Sequence, residues 1–314
     1  MAPTSEVLAD MADLRDQLRQ QGSPYSELFK LRPARVLLDI AFDWALILGA
    51  VAAVVWIDAV LAPLSVLVIS NRQRALGNIL HDAGHRNIWR EKRRNDLVAR
   101  ALVAPLLFAS LSRYRETHFQ HHLKLGRTRG DPDLIPGQEN LPSLWVVSFA
   151  RCFLSWPTWL GSMSGHLFEN EVSLRSKAFI LGWWVGLVGV LALLGGGDFA
   201  LAFVLLWLIA RATFFHCITT FREMCDHFGL QPGGVFGFTR DMVCHGPWRW
   251  TFHPRNNGYH LTHHLLPAVP YYRLPEAHTL LCQLPMFEDR SHICRAYFRT
   301  ANAVTADWQS RAAA

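Results

Sequence analysis

Two long apolar blocks, each interrupted near its middle, constrain this chain more than any other feature. The first runs from Val36 to Ser70, broken mainly by Asp39, Asp43 and Asp58. The second runs from Ala178 to Phe215 and breaks at Gly195-Gly196-Gly197-Asp198. About 20 residues cross a bilayer as a helix, so each block is too long for one crossing. Each reads as a helical hairpin, turning near Asp58 and at the glycine run. The second arm of the first hairpin is short before Arg72. It is therefore tilted or shallow, or Arg72 and Arg74 reach back to the interface, with a re-entrant hairpin as the alternative. Gly182, Gly186 and Gly189 read as helix-packing positions. Periodicity within the blocks is uninformative, because a helix facing lipid is apolar all round.

Charge gives the blocks an orientation. The proposed outer turns, around Asp58 and Gly195–Asp198, contain no Lys or Arg. The tails and the long middle segment hold nearly all of them, which places both termini and the middle segment in the cytosol. Two shorter apolar runs, Leu97–Leu111 and Leu144–Leu160, contain Arg and read as interfacial; the second carries Trp145, Trp156 and Trp159. The stretch Glu6–Gln20 reads as an amphipathic helix on a cytosolic tail, resting on the membrane surface, ahead of a Gly22-Ser23-Pro24 breaker. No signal peptide is expected, since residues 1–30 are mixed polar and charged.

Composition agrees with membrane helices carrying a large polar part. Hydrophobic residues make up 51% of the 314, with a mean hydropathy of +0.12. The net charge of +6 sits on no nucleic-acid-binding motif, so nucleic acid is not an expected partner. The six Cys include no CxxC pair, which excludes a zinc ribbon and a thioredoxin motif and reads as reduced thiols in a reducing cytosol.

The 15 His matter for their placement. His81-Asp82-Ala83-Gly84-His85 is an H-x₃-H. His118-Phe119-Gln120-His121-His122 and His260-Leu261-Thr262-His263-His264 are both H-x₂-H-H. On a helix, positions i, i+3 and i+4 share a face, so each cluster aims its imidazoles at one place. Four imidazoles close a structural zinc site and three leave an open catalytic one, so this many imply two metals. Imidazole suits Zn, Cu, Fe and Ni, so ligand type alone does not select the metal. Neither HExxH nor Glu-x-x-His occurs, which argues against zincin chemistry and against a carboxylate-bridged di-iron bundle. By the charge argument all the clusters lie on one side of the membrane.

At these residues the chain resembles the membrane fatty acid desaturase superfamily, whose three histidine boxes match in order and approximate spacing. The flanks match as well. Tyr114-Arg115 precedes the second box and Gly130-Asp131-Pro132-Asp133 follows it. Asn256-Asn257-Gly258-Tyr259 leads into the third, which continues as Leu265-Leu266-Pro267-Ala268-Val269-Pro270 and Leu274-Pro275. The resemblance covers roughly residues 40 to 280.

The resemblance implies an all-α integral membrane protein. About four transmembrane helices would form two hairpins, at about 36–80 and 178–220, under a cytosolic helical cap holding a His-rich di-iron site. Residues 1–35 and 281–314 would be cytosolic tails around a membrane domain at 36–280. An isolated His would complete the ligand set. His227, in Arg222-Glu223-Met224-Cys225-Asp226-His227, is the best match, although the family often has Glu-His where this chain has Asp226-His227. The implied ligands are then His81, His85, His118, His121, His122, His227, His260, His263 and His264. His216 is read as structural or as a neighbour of the ligands. His166, His245, His253, His278 and His292 are read as ordinary surface or hydrogen-bonded residues. Candidates to orient the ligand imidazoles are Asp82, Glu116, Glu223, Asp226, Asp131 and Asn257. Asp131 and Asp133 serve equally well as turn caps.

Removing hydrogen from an unactivated methylene needs an oxidant that side chains do not provide, so a metal must carry it. The implied activity is O₂-dependent desaturation of a lipid acyl chain by two Fe ions. The same boxes occur in hydroxylases and ketolases acting on a lipid, carotenoid or alkane. A membrane metal transporter is a distant alternative, because transporters place ionisable residues within their spans. The implied partners are membrane lipids and a separate electron donor of ferredoxin, rubredoxin or cytochrome b5 type. Arg90, Lys92, Arg93 and Arg94 offer such a donor a basic face.

Overall fold

The computed structural model describes residues 4–22, 25–135, 141–300 and 302–309. In chain order the helices begin with α1 (Ser5–Gln21), α2 (Pro33–Trp56), α3 (Ala62–Gly84), α4 (Lys92–Leu102) and α5 (Leu111–Lys124). They continue with α6 (Trp145–Phe153), α7 (Trp156–Ser164), α8 (Leu174–Gly195), α9 (Gly197–Ala210) and α10 (His216–His227). The last are α11 (Gly234–Phe238), α12 (Pro247–Phe252), α13 (His260–Leu265), α14 (Leu274–Leu281) and α15 (Pro285–Arg290). Two two-residue strands, β1 (Asp241–Met242) and β2 (Ile293–Cys294), pair in parallel with Asp241 opposite Ile293. The chain divides into two compact units, one from residues 1–31, 115–152 and 220–314, the other from 32–114 and 153–219.

The second of these is the apolar unit, and its first hairpin turns where expected. Just beyond α2, Asp58 caps a short 3-10 turn, its Oδ1 accepting from Val60 N at 2.8 Å. Pro63 then opens α3, where a missing N–H costs nothing. The arms run antiparallel. Ser65 Oγ donates to Ala50 O at 2.9 Å, and further along α3 Arg72 Nη1 meets Asp43 Oδ1 at 2.9 Å. That pair explains how Arg72 and Asp43 fit among apolar helices: each buried charge has a partner. On another side of α3, Ser70 Oγ donates to Ala210 O and Gln73 Nε2 to Trp207 O.

Among the described residues, three helical segments are long and apolar enough to cross a membrane: Pro33–Trp56, Leu174–Gly195 and the continuous run Gly197–His227. The 23-residue α3 has the length, but its buried polar residues lower its hydropathy. The spans expose large apolar side chains, with Leu174 at 83%, Leu193 at 87% and Leu194 at 83%. In water such surface is costly at about 25 cal/mol per Å², and a lipid environment removes that cost. The second hairpin turns at Gly196, whose φ of 90° suits glycine. A methyl placed on Gly182, Gly186 or Gly189 would meet nothing within 4 Å, so these glycines are not close-packing positions among the described residues. Between α9 and α10 the helix widens into a π turn, Arg211–Phe215. There Arg211 Nε donates to Met163 O at 2.8 Å and its guanidinium lies over the rings of Phe108 and Phe215.

The other unit is polar outside and aromatic within. The side chain of Thr4 caps α1 by accepting from Val7 N. Val7, Leu14 and Leu18 on α1 are buried within the protein, and Asp10 accepts from Val235 N at 2.6 Å at the start of α11. The face that reads as membrane-seeking in the sequence is therefore spent on packing. The expected breaker is described only at Gly22, a left-handed C-cap; Ser23 and Pro24 lie outside the described residues. Trp308 is fully buried beside Phe221, and Arg240, also fully buried, meets Asp307 at 3.1 Å.

Candidate metal centre

Three elements of the polar unit converge on one place. Helix α5 brings His118, His121 and His122, the last residue of α10 is His227, and α13 brings His260, His263 and His264. The i, i+3, i+4 spacing puts each set on one helical face. At six residues α13 is too short to hold itself, and Asp241, fully buried, anchors it. The Asp241 Oδ1 accepts from Thr262 N at 3.0 Å, and Oδ2 from Thr262 Oγ1 at 2.6 Å.

The imidazoles form two groups within this unit. His121, His227, His260 and His264, all buried, offer donor atoms within 4.8 Å of one another. His260 Nε2 lies 2.9 Å from His227 Nε2 and 3.0 Å from His264 Nε2. In the other group His122 Nε2 lies 3.1 Å from both His118 Nε2 and His263 Nε2. The groups adjoin, since the rings of His122 and His264 stack at 4.1 Å. In the apolar unit, His81 and His85 sit side by side at the end of α3, their ring centroids 5.1 Å apart. Asp82 Oδ1 lies 3.6 Å from His81 Nδ1.

Hydrogen bonds behind the rings settle which nitrogens face inward as lone pairs. Phe238 O lies 2.7 Å from His227 Nδ1 and can only accept, so Nδ1 carries the proton and Nε2 is bare. Asp131 Oδ1 does the same for His121 Nδ1 at 2.8 Å. Asp226 Oδ2, paired with Arg222, is 3.5 Å from His260 Nδ1. Bare Nε2 atoms facing one another at 2.9 Å repel unless a proton or a metal ion lies among them. Burial, with the neighbouring imidazoles, holds His260 and His264 well below the ordinary histidine value, so these rings do not readily take the proton. Burial also pulls His121 down, but Asp133 and Asp131 outweigh it and raise it overall. The lowered imidazoles of His227, His260 and His264, converging on one point, fit a metal ion of the imidazole-binding class.

The remaining sequence candidates divide. Asp131, besides its contact with His121, accepts from Gly126 N at 2.8 Å and Asp133 N at 3.0 Å, closing the loop. Glu116 is exposed, Glu223 is half-buried, and Asn257 is buried. His216 spends both ring nitrogens, Nδ1 on Ser162 Oγ at 2.9 Å and Nε2 on Phe153 O at 2.8 Å, so its role is structural. His253 pairs with Tyr297 OH and His166 with Ser110 N. His292, Cys294 and Asp307 form a third group with ligand atom types, but Arg240 already matches the Asp307 carboxylate. Sequence reasoning misses the Phe238 carbonyl, which leaves no side-chain signal, and Asp241, which stands 21 residues before the Thr262 it holds.

The sequence profile of the fatty acid desaturase family matches residues 55–292, most of the chain. The chain belongs to the fatty acid desaturase family. It is 28% identical over 283 residues to a dihydrorhizobitoxine desaturase of Bradyrhizobium elkanii, covering 82% of this chain and 79% of that one. It is 23% identical over 318 residues to an acyl-lipid (8-3)-desaturase of Rebecca salina, covering 94% and 72%. The histidine clusters of this family member thus lie inside the matched region.

Proposed function

We propose that this desaturase-family chain is an O₂-dependent di-iron oxidoreductase that introduces a double bond into a fatty acyl chain of a lipid. The observation that carries the reading is the set of buried imidazoles whose bare Nε2 atoms face one another, as at His227 and His260. In this reading His121, His227, His260 and His264 hold one iron. His118, His122 and His263 serve the second, and His81 and His85 complete the set of nine. A bound di-iron centre would supply the O₂-dependent oxidising power that no side chain has.

The protein's own part is positioning. Asp131 and the Phe238 carbonyl fix ring orientation and tautomer, so that no ligand turns away when the substrate arrives. Four crossings in two hairpins, with α3 as the fourth, would carry the acyl chain in from the bilayer and leave a cytosolic cap, both termini and the active site on one side. Residues 36–280 form the membrane domain of this reading. Electrons would come from a separate ferredoxin, rubredoxin or cytochrome b5 type donor, docked on Arg90, Lys92, Arg93 and Arg94.

The two relatives' names carry two different substrates, so the substrate is the part to test. The chain is expressed in a heterologous host and the lipids are profiled by mass spectrometry with double-bond localisation. A new acyl double bond, absent with His264→Ala, is the expected result. A product heavier by one oxygen would make the chain a hydroxylase. Unchanged lipids, together with protein that holds metal weakly and exchangeably, would overturn the enzyme reading and favour a transporter.

A further inference from the structure

Outside the metal centre, one group of side chains has the arrangement of an assisted nucleophile. Cys282 follows the last turn of α14 and is exposed, unlike the buried Cys152, Cys225, Cys244 and Cys294. Its Sγ lies 3.5 Å from His278 Nε2. The other ring nitrogen, His278 Nδ1, is 2.7 Å from Asp241 Oδ2. Asp241 also accepts from Thr262 N and Thr262 Oγ1, so both of its carboxylate oxygens act as acceptors. His278 must therefore carry its proton on Nδ1 and present the Nε2 lone pair to the thiol. Nucleophile, base and the group that orients the base stand in the relation that activates a cysteine.

We propose that Cys282, His278 and Asp241 form a base-assisted thiol that takes α,β-unsaturated carbonyl compounds as covalent adducts. The chemistry of the site selects this class. The backbone N–H groups at and after the sulfur are already used: Cys282 N donates to His278 O, Gln283 N to Leu280 O and Leu284 N to Leu281 O. None of these is left to stabilise the oxyanion of acyl transfer. Addition to an activated alkene needs only a soft nucleophile and a base that returns the proton. A bond forms between Sγ and the β carbon while the alkene π pair moves to the α carbon. The thiol proton passes to His278 Nε2 and then to the α carbon. No oxidant, reductant or leaving group is involved.

Burial and Asp241 hold the Cys282 thiol above its ordinary value, against the pull of Arg295. The resting sulfur is thus protonated, and without His278 it would react more slowly than a thiol in water. That difference makes the test sharp. Full-length protein in detergent, folded or unfolded in urea, is treated with N-ethylmaleimide at pH 7, and adduct formation on each cysteine is followed by peptide mass spectrometry. Folded Cys282 is expected to react about tenfold faster than unfolded Cys282, a modest share of what a positioned base contributes. His278→Gln should abolish that gain while Cys225 and Cys244 stay protected. A folded rate no greater than the unfolded one, or a gain that survives His278→Gln, overturns the proposal. If His278→Gln exposes Cys225 and Cys244, the variant has unfolded, and the wild-type comparison decides alone.

Discussion

The helix from His216 to His227 begins and ends on an imidazole, and its two ends differ in what they leave over. Both residues are buried, His216 at 0% exposure and His227 at 5%, so burial does not separate them. At the start, Ser162 and the Phe153 carbonyl consume both nitrogens of His216. At the end, the Phe238 carbonyl consumes one nitrogen of His227 and leaves the other pointing at His260. A histidine available to a metal is recognised by its remainder: one nitrogen held from behind, one lone pair directed at others like it.

The most severe way to break this contrast is to remove each ring in turn. His227→Ala is expected to abolish product and strip iron from protein that still inserts, a loss beyond the roughly 10–100-fold typical of residues that merely orient ligands. His216→Ala should keep its iron and much of its activity. Iron content by mass spectrometry and product formation check both, and reversed phenotypes would place the ligand at the wrong end of α10. Next comes the group that holds a ring from behind. Asp131→Asn should lower iron affinity or turnover by about 10–100-fold, measured by chelator competition, and an unchanged affinity would show that the ring needs no carboxylate. The smallest effect lies at the saturated end. Ser162→Ala leaves His216 Nδ1 without its hydroxyl and should cost about 1–3 kcal/mol of stability, visible as a lower thermal midpoint with iron content unchanged.

What the sequence reveals and what it hides follow from the range of the interactions. The clusters at 118–122 and 260–264 are legible because i, i+3 and i+4 spacing is local, and so are the turns at Asp58 and Gly196. The pairing of Arg72 with Asp43 spans 29 residues and leaves no local trace, so the second arm of the first hairpin looks shorter than the helix it forms. The buried face of α1 has the spacing of a membrane-seeking helix, and only the position of α11 shows what covers it. A spacing of four also joins His278 to Cys282, but their orienting carboxylate stands 37 residues away.

The π turn at Arg211–Phe215 gives the long final span a length tolerance that its other turns lack. A π turn holds one more residue than the α turn it replaces. The loss of one residue there re-forms an α turn and leaves the flanking turns in phase. The loss of one residue from α10 has no such outlet: each later side chain swings by about 100° around the axis, and His227 leaves the Phe238 carbonyl behind. Insertions and deletions among related chains are therefore expected to collect at this turn, where the phase between the apolar helix and His227 can be reset.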